Sequence, residues 1–239
     1  MKCMRGIKQE QDFIGAREKF IKNFKDDCTD EVDCSWSHFK EAFLNFSKYR
    51  CPICEDTLNR YDDIDHYRPK SEYEFLRCCC DNYMIMCSDC NRTHKYTSFP
   101  LDNDFVGTDK HLVKQEKPLL INPRVDNVLD YFELYFLRNG DSYILELRPH
   151  RGLDLSSYEF RRAEKTIEVY GLGYCKDNKK VDGCRINIFE NHYDHLIDLA
   201  KAREKSKLDF MKELKEKPKR AEYGFVKFIA RKQFEIEIF

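Results

Sequence analysis

The sequence predicts an α+β protein built around a strand–loop–strand–helix unit near the middle of the chain. Three observations carry this. Two Cys-x-x-Cys pairs, Cys51/Cys54 and Cys87/Cys90, bracket the stretch. Two short runs of strand character, Asp62–Tyr67 and Tyr83–Met86, lie between the pairs, and Arg68-Pro69 closes the first because proline cannot donate to a ladder. Outside the bracket, apolar residues recur at three- and four-residue steps, the period of helices packed on one side.

Taken in order, residues 1–50 read as a helical segment. Phe13, Ala16, Phe20 and Phe24 form one apolar stripe. After a polar break, Trp36, Phe39, Phe43 and Phe46 form a second, with Ser35 as its candidate cap. Residues 51–106 form the central unit. Its helix begins near Cys90, capped by Ser88 or Asp89, carries Asn91, His94 and Lys95, and stops at Phe99-Pro100. Residues 107–239 read as a mixed region packed on that unit. Pro118 to Pro123 is a short apolar extended piece, and Asn139-Gly140 between Tyr131–Leu137 and Tyr143–Leu147 signals a hairpin that could extend the central sheet. A helix follows, capped by Ser156 or Ser157 and ended at Gly171 and Gly173. A long amphipathic helix runs from Ile186 to Lys217, and the tail from Tyr223 is a short helix or a docking strand.

A Cys-x-x-Cys turn aims two thiolates at one centre, and two such turns complete a tetrahedral Zn²⁺ site with no open position. Cys51, Cys54, Cys87 and Cys90 are therefore expected to hold a structural zinc that pins the approach to the first strand to the start of the helix. Cys175, Cys184, His192 and His195 are too irregularly spaced to suggest a second site of this kind.

The stretches DHYRPKS, DNY, CSDCN and FPL resemble an HNH endonuclease of the ββα-metal class in its zinc-bracketed form. PLLINPRVDNVLDYFEL and TIEVYGLG resemble the PtuB-like HNH nuclease subunits of Septu and retron anti-phage systems. The resemblance implies a zinc-bracketed ββα-metal core flanked by N-terminal and C-terminal helices, with an additional β-hairpin. It implies His66 as general base, Asp65 and Asn91 as ligands of a catalytic Mg²⁺ or Mn²⁺, and Asn82 as the residue that orients the loop beside His66. It also implies an ATPase subunit as partner and nucleic acid as substrate.

The residue types suit that chemistry. Phosphodiester hydrolysis needs an activated water and a cation to bear charge on the phosphoryl oxygens. An imidazole of near-neutral pKa can take the proton from water. Carboxylate and amide oxygens are hard ligands that suit Mg²⁺ or Mn²⁺. Arg68, Arg92 and Lys95 are candidates for contact with phosphate, and His94, one turn beyond Asn91, could reach the same metal or simply face solvent. Neighbouring residues on a regular strand point to opposite faces, so Asp65 and His66 can serve one centre only if the strand ends or bulges there. A zinc-ribbon module that binds nucleic acid or protein without catalysis would explain the cysteines and leave Asp65, His66 and Asn91 without a role.

The 239 residues carry 42 Lys or Arg against 43 Asp or Glu, so no overall basic footprint marks a nucleic-acid binder. Residues 51–100 are net acidic, and positive charge gathers instead between Lys201 and Lys232. No apolar run is long enough to span a membrane and Met1–Ile7 is polar, which leads to the expectation of a cytoplasmic protein whose remaining cysteines are reduced thiols.

Overall fold

The computed structural model describes residues 4–26, 34, 36–139, 142–172, 206–216 and 235. The chain is a mixed α/β protein that divides into two compact units, Cys3–Asn127 and a second containing Val128–Phe239. Residues 3–50 and 51–106 thus share one unit, and residues 107–127 belong to it as well.

In the first unit, helix α1 spans Gln11–Asp26 and helix α2 spans Lys40–Ser47, the latter preceded by a 3-10 turn over Trp36–Phe39. The two stripes meet as expected. Phe13 contacts Phe39 and Phe43 with ring centroids 5.1 and 5.7 Å apart, and Phe20 lies 5.5 Å from Phe39. All four rings are buried, each worth about 1.5–3 kcal/mol of hydrophobic burial. Helix α2 ends because Lys48 and Tyr49 both turn left-handed, at φ 54°. Ser35, the expected cap, lies outside the described residues.

Strand β1 (Asp63–His66) pairs antiparallel with β2 (Tyr83–Met86), Ile64 opposite Ile85 and His66 opposite Tyr83. All four residues of β2 are buried. The helix after β2 forms where the sequence places it, over Asp89–Lys95, but as a π-helix in which the Tyr96 N–H reaches the Asn91 carbonyl at 2.7 Å. Ser88 is already helical and makes no side-chain cap. Further on, Leu120 and Ile121 bury completely, and Leu101 bridges to Pro118.

In the second unit, the short helix α3 (Val128–Tyr131) leads into strands β3 (Phe132–Asn139) and β4 (Ser142–Pro149). They pair antiparallel over their whole length, from Phe132–Pro149 to Asn139–Ser142. The hairpin stands where Asn139-Gly140 indicated, but it is a separate two-stranded sheet and does not continue β1–β2. Helix α4 (Tyr158–Tyr170) is capped by Ser157, whose Oγ accepts the Phe160 N–H at 3.0 Å, and it ends at Gly171 with φ 60°. Ala163, Thr166 and Tyr170 form its buried stripe, and α4 packs on β4. Of the long helix expected over residues 186–217, the described part is α5, Lys207–Glu216, with Phe210 and Leu214 buried and Ser206 capping Asp209. Cys175, Cys184, His192, His195 and most of the basic stretch lie outside the described residues.

The cysteine reading needs one correction. Cys34 and Cys78, expected as reduced thiols, are joined in a disulfide with Cα atoms 5.2 Å apart. A sequence-level inference about compartment says nothing about which thiols the fold brings together. Here the loop carrying Cys78–Cys80 closes against the segment that enters α2.

Candidate functional site

The four bracketing cysteines meet in one buried cluster, their sulfurs all within 4.8 Å of one another. Cys51 Sγ lies 3.7 Å from Cys90 Sγ, and Cys54 Sγ lies 3.6 Å from Cys87 Sγ. A tetrahedron of sulfurs about 2.3 Å from a central Zn²⁺ has edges of about 3.8 Å, so the spacing fits zinc. The backbone prepares it. Glu55, left-handed at φ 66°, closes the first turn, with its N–H on the Cys51 carbonyl at 2.9 Å. In the second turn the Cys90 N–H points at Cys87 Sγ, 3.4 Å away. Packed this closely, the thiols shift one another: hydrogen bonding to Cys51 pushes Cys54 up, burial pushes Cys90 up, and hydrogen bonding with Cys51, Cys54 and Cys90 pushes Cys87 down. A bound cation is what would let all four ionise together. Cys51, Cys54, Cys87 and Cys90 could therefore bind a zinc ion.

Asp62, buried beside this cluster, ties it to β1. Its carboxylate accepts the Asn59 N–H at 2.7 Å and the Ser88 N–H at 3.0 Å. The sequence offered no sign of that role, since Asp62 is one acidic residue in a run of them.

β1 alternates strictly, so Asp65 and His66 face opposite sides. The Asp65 Oδ2 meets the Lys95 ammonium at 2.8 Å, and Lys95 also donates to the His66 carbonyl at 2.9 Å. The Lys95 side chain is wholly buried. A lysine expected to reach phosphate therefore serves instead as the internal partner of Asp65 and joins β1 to the π-helix. Asn91, half-buried, sits on the same helix four residues earlier.

On the other face His66 is buried between aromatic rings, Trp36 at 5.9 Å and Tyr83 at 5.1 Å, both edge-on. His66 Nε2 lies 2.9 Å from the Arg77 carbonyl, which also accepts the Tyr83 hydroxyl. A carbonyl can only accept, so the proton sits on Nε2 and Nδ1 carries the lone pair. Burial holds the His66 pKa below its ordinary value, against the opposing effects of the Arg77 carbonyl and Asp65, which favours the neutral ring.

Asn82 grips the turn after β1 from both sides. Its Oδ1 accepts the Arg68 N–H at 2.8 Å, and its Nδ2 donates to the Arg68 carbonyl at 2.9 Å. Arg68 itself is caged: Nε donates to the buried Glu116 at 2.8 Å, and the guanidinium lies over Tyr67, Tyr73 and Phe99. Arg92 is exposed and pairs with Asp63. His94 has its Nε2 4.0 Å from Asp89 Oδ1, with the side chain largely buried. Lys95 thus ties Asp65 to the π-helix that carries Asn91, Asn82 holds the turn after β1, and His66 is directed to the face opposite Asp65.

Over 139 residues, 52% of its length, the chain is 28% identical to the Septu protein PtuB of Bacillus mycoides (strain KBAB4). Over that stretch the chain is similar to PtuB. The likeness to PtuB-like proteins read from its motifs is therefore borne out, although the aligned stretch spans only 42% of that relative's length. No family model matches the chain, and no solved structure matches it. Among the described residues no helix is long and apolar enough to cross a membrane.

Proposed function

We propose that this protein is the metal-dependent HNH endonuclease of an anti-phage defence system of the Septu type, hydrolysing phosphodiester bonds in nucleic acid in company with an ATPase subunit. The observation that carries the reading is the order β1, β2, π-helix closed by a four-cysteine cluster, with Asp65, His66, Asn82 and Asn91 at the motif positions. Similarity to PtuB supplies the defence context and the expectation of a partner.

The residues suit a hard cation. Asp65 spends one oxygen on Lys95, and Oδ1 has no hydrogen bond among the described residues. That oxygen and the Asn91 amide would hold Mg²⁺ or Mn²⁺, whose role when bound is to neutralise charge building on the phosphoryl oxygens. His66, the last residue of β1, is neutral and oriented by the Arg77 carbonyl; in this reading its ring turns at the strand end toward the Asp65 side and accepts a proton from water at Nδ1. Asn82 fixes the turn that follows His66, and Arg92, the exposed cation of the helix, would meet backbone phosphate.

A second reading rests on one observation. Because Asp65 and His66 diverge across β1, with His66 buried, the same scaffold could serve as a zinc-stabilised binding module with no chemistry. Incubating zinc-loaded protein with plasmid DNA and with total RNA, in Mg²⁺, Mn²⁺ or neither, separates the two. Cleavage that requires the added cation supports the nuclease. Binding without cleavage, unchanged when the ATPase subunit is co-expressed, supports the module.

A further inference from the structure

We propose a second binding site in the first unit, a basic pocket that takes the phosphate of a single nucleotide. This inference does not depend on the nuclease reading. The pocket encloses about 550 Å³, the size of a small-molecule site, and is walled by residues 6–9, the turn at Arg68, the loop carrying Lys110 and Lys114, and the segment around Arg124.

Charge is what marks it. Five cations line the pocket: Lys8, Arg68, Lys110, Lys114 and Arg124. Two are neutralised in place, Lys8 by Asp81 at 2.6 Å and Arg68 by Glu116 at 2.8 Å. Lys110 and Lys114 are exposed and form no salt bridge among the described residues.

Arg124 is the decisive member. It is only 8% exposed. Its Nη1 donates to the carbonyls of Cys80, Asp81 and Tyr83 at 2.8, 3.2 and 2.5 Å, while Nε and Nη2 are buried with no hydrogen-bond partner. Its guanidinium lies 5.4 and 5.3 Å from the ring centres of Phe13 and Phe43. Ring faces and carbonyls soften the cost of burying this cation, and the carboxylate that acts on it, Asp81, is already paired with Lys8. A phosphate in the pocket would supply the missing countercharge to Arg124, Lys110 and Lys114 together.

The walls are built to hold position. Gly107 approaches the opposite strand of its loop so closely that a Cβ there would lie 2.4 Å from the Val113 nitrogen. Its N–H donates to Glu116 Oε1 at 2.9 Å, the same carboxylate that holds Arg68. Lys110 and Lys114 thus project from a pinned loop. Ile7, Leu76 and Val113 give the apolar surface that a nucleoside would rest on.

Calorimetric titration of the full chain with AMP, adenosine and inorganic phosphate tests the site, and AMP has no internucleotide bond for a nuclease to cut. AMP and phosphate should bind and adenosine should not. Because Arg124→Ala could fail to fold, the variant of choice replaces the exposed pair. Lys110→Glu/Lys114→Glu should weaken AMP at least tenfold with an unchanged circular dichroism spectrum. AMP binding no tighter than adenosine, or insensitivity to the double variant, would overturn the proposal. Displacement of AMP by oligothymidylate would assign the phosphate to a nucleic-acid strand, and its absence to a free nucleotide; either source upholds the site.

Discussion

The two hairpins of this chain solve the same problem in different ways. β1–β2 has four residues per strand, and β3–β4 has eight. A two-stranded hairpin is marginal alone in water, so each needs support. The longer one has a backbone ladder running its full length and helix α4 packed on β4. The shorter one is supported at its ends: four sulfurs at the Asp63–Met86 end, Asp62 on the Ser88 N–H, Lys95 beneath Asp65, and Asn82 on the Arg68 turn. Because the short hairpin is held from its ends, Asp65 and His66 on β1 are set by contacts of their own, Asp65 with Lys95 and His66 with the Arg77 carbonyl.

This contrast predicts that removing metal from the cysteine cluster acts on one hairpin only. Cys87→Ser, or chelation, should abolish cooperative folding of β1–β2, since structural zinc sites supply on the order of 10 kcal/mol. Hydrogen exchange would show residues 63–66 and 83–86 losing protection while 132–139 and 142–149 keep theirs. Equal loss in both hairpins would break the comparison. Next in size is the disulfide. Cys34 and Cys78 close a loop with a sequence separation of 44, worth at most about 4 kcal/mol of unfolded-chain entropy. Reduction should lower the denaturant midpoint of the first unit by a corresponding amount, and an unchanged midpoint would show that the pairing contributes nothing.

Lys95→Met should cost about 3 kcal/mol, because it leaves Asp65 partly buried and unpaired. Urea unfolding checks this, and a neutral result would remove Lys95 from the support of β1. The smallest effect belongs to the other hairpin's unit. Ser157→Ala deletes the cap of α4 at a cost of about 1 kcal/mol, which should be visible in exchange across α4 and β4 and absent from residues 63–66.

The sequence revealed parts of this arrangement unevenly, for physical reasons. Paired cysteines at fixed spacing have few alternative uses, so the cluster was legible. The β3–β4 turn was legible because Asn-Gly suits the left-handed turns of hairpins. The alternation of β1 was also foreseeable, and it holds through Asp65 and His66 without a bulge. Lys95 was read as a surface cation because composition cannot tell a solvated lysine from one that a π-helix turns inward. Arg124 gave no signal of its own: it is one residue within PLLINPRVDNVLDYFEL, and only the fold sets it over Phe13 and Phe43. The disulfide joins residues 44 apart whose proximity depends on how the loop before β2 closes.

The most direct test of the central claim compares His66→Ala with wild type. Both proteins would be zinc-loaded and confirmed folded by circular dichroism, then assayed for nucleic-acid cleavage in Mg²⁺ and Mn²⁺. The account predicts metal-dependent cleavage by wild type and a loss of at least a hundredfold in the variant, the scale expected of a general base. Equal cleavage by the two proteins would contradict it.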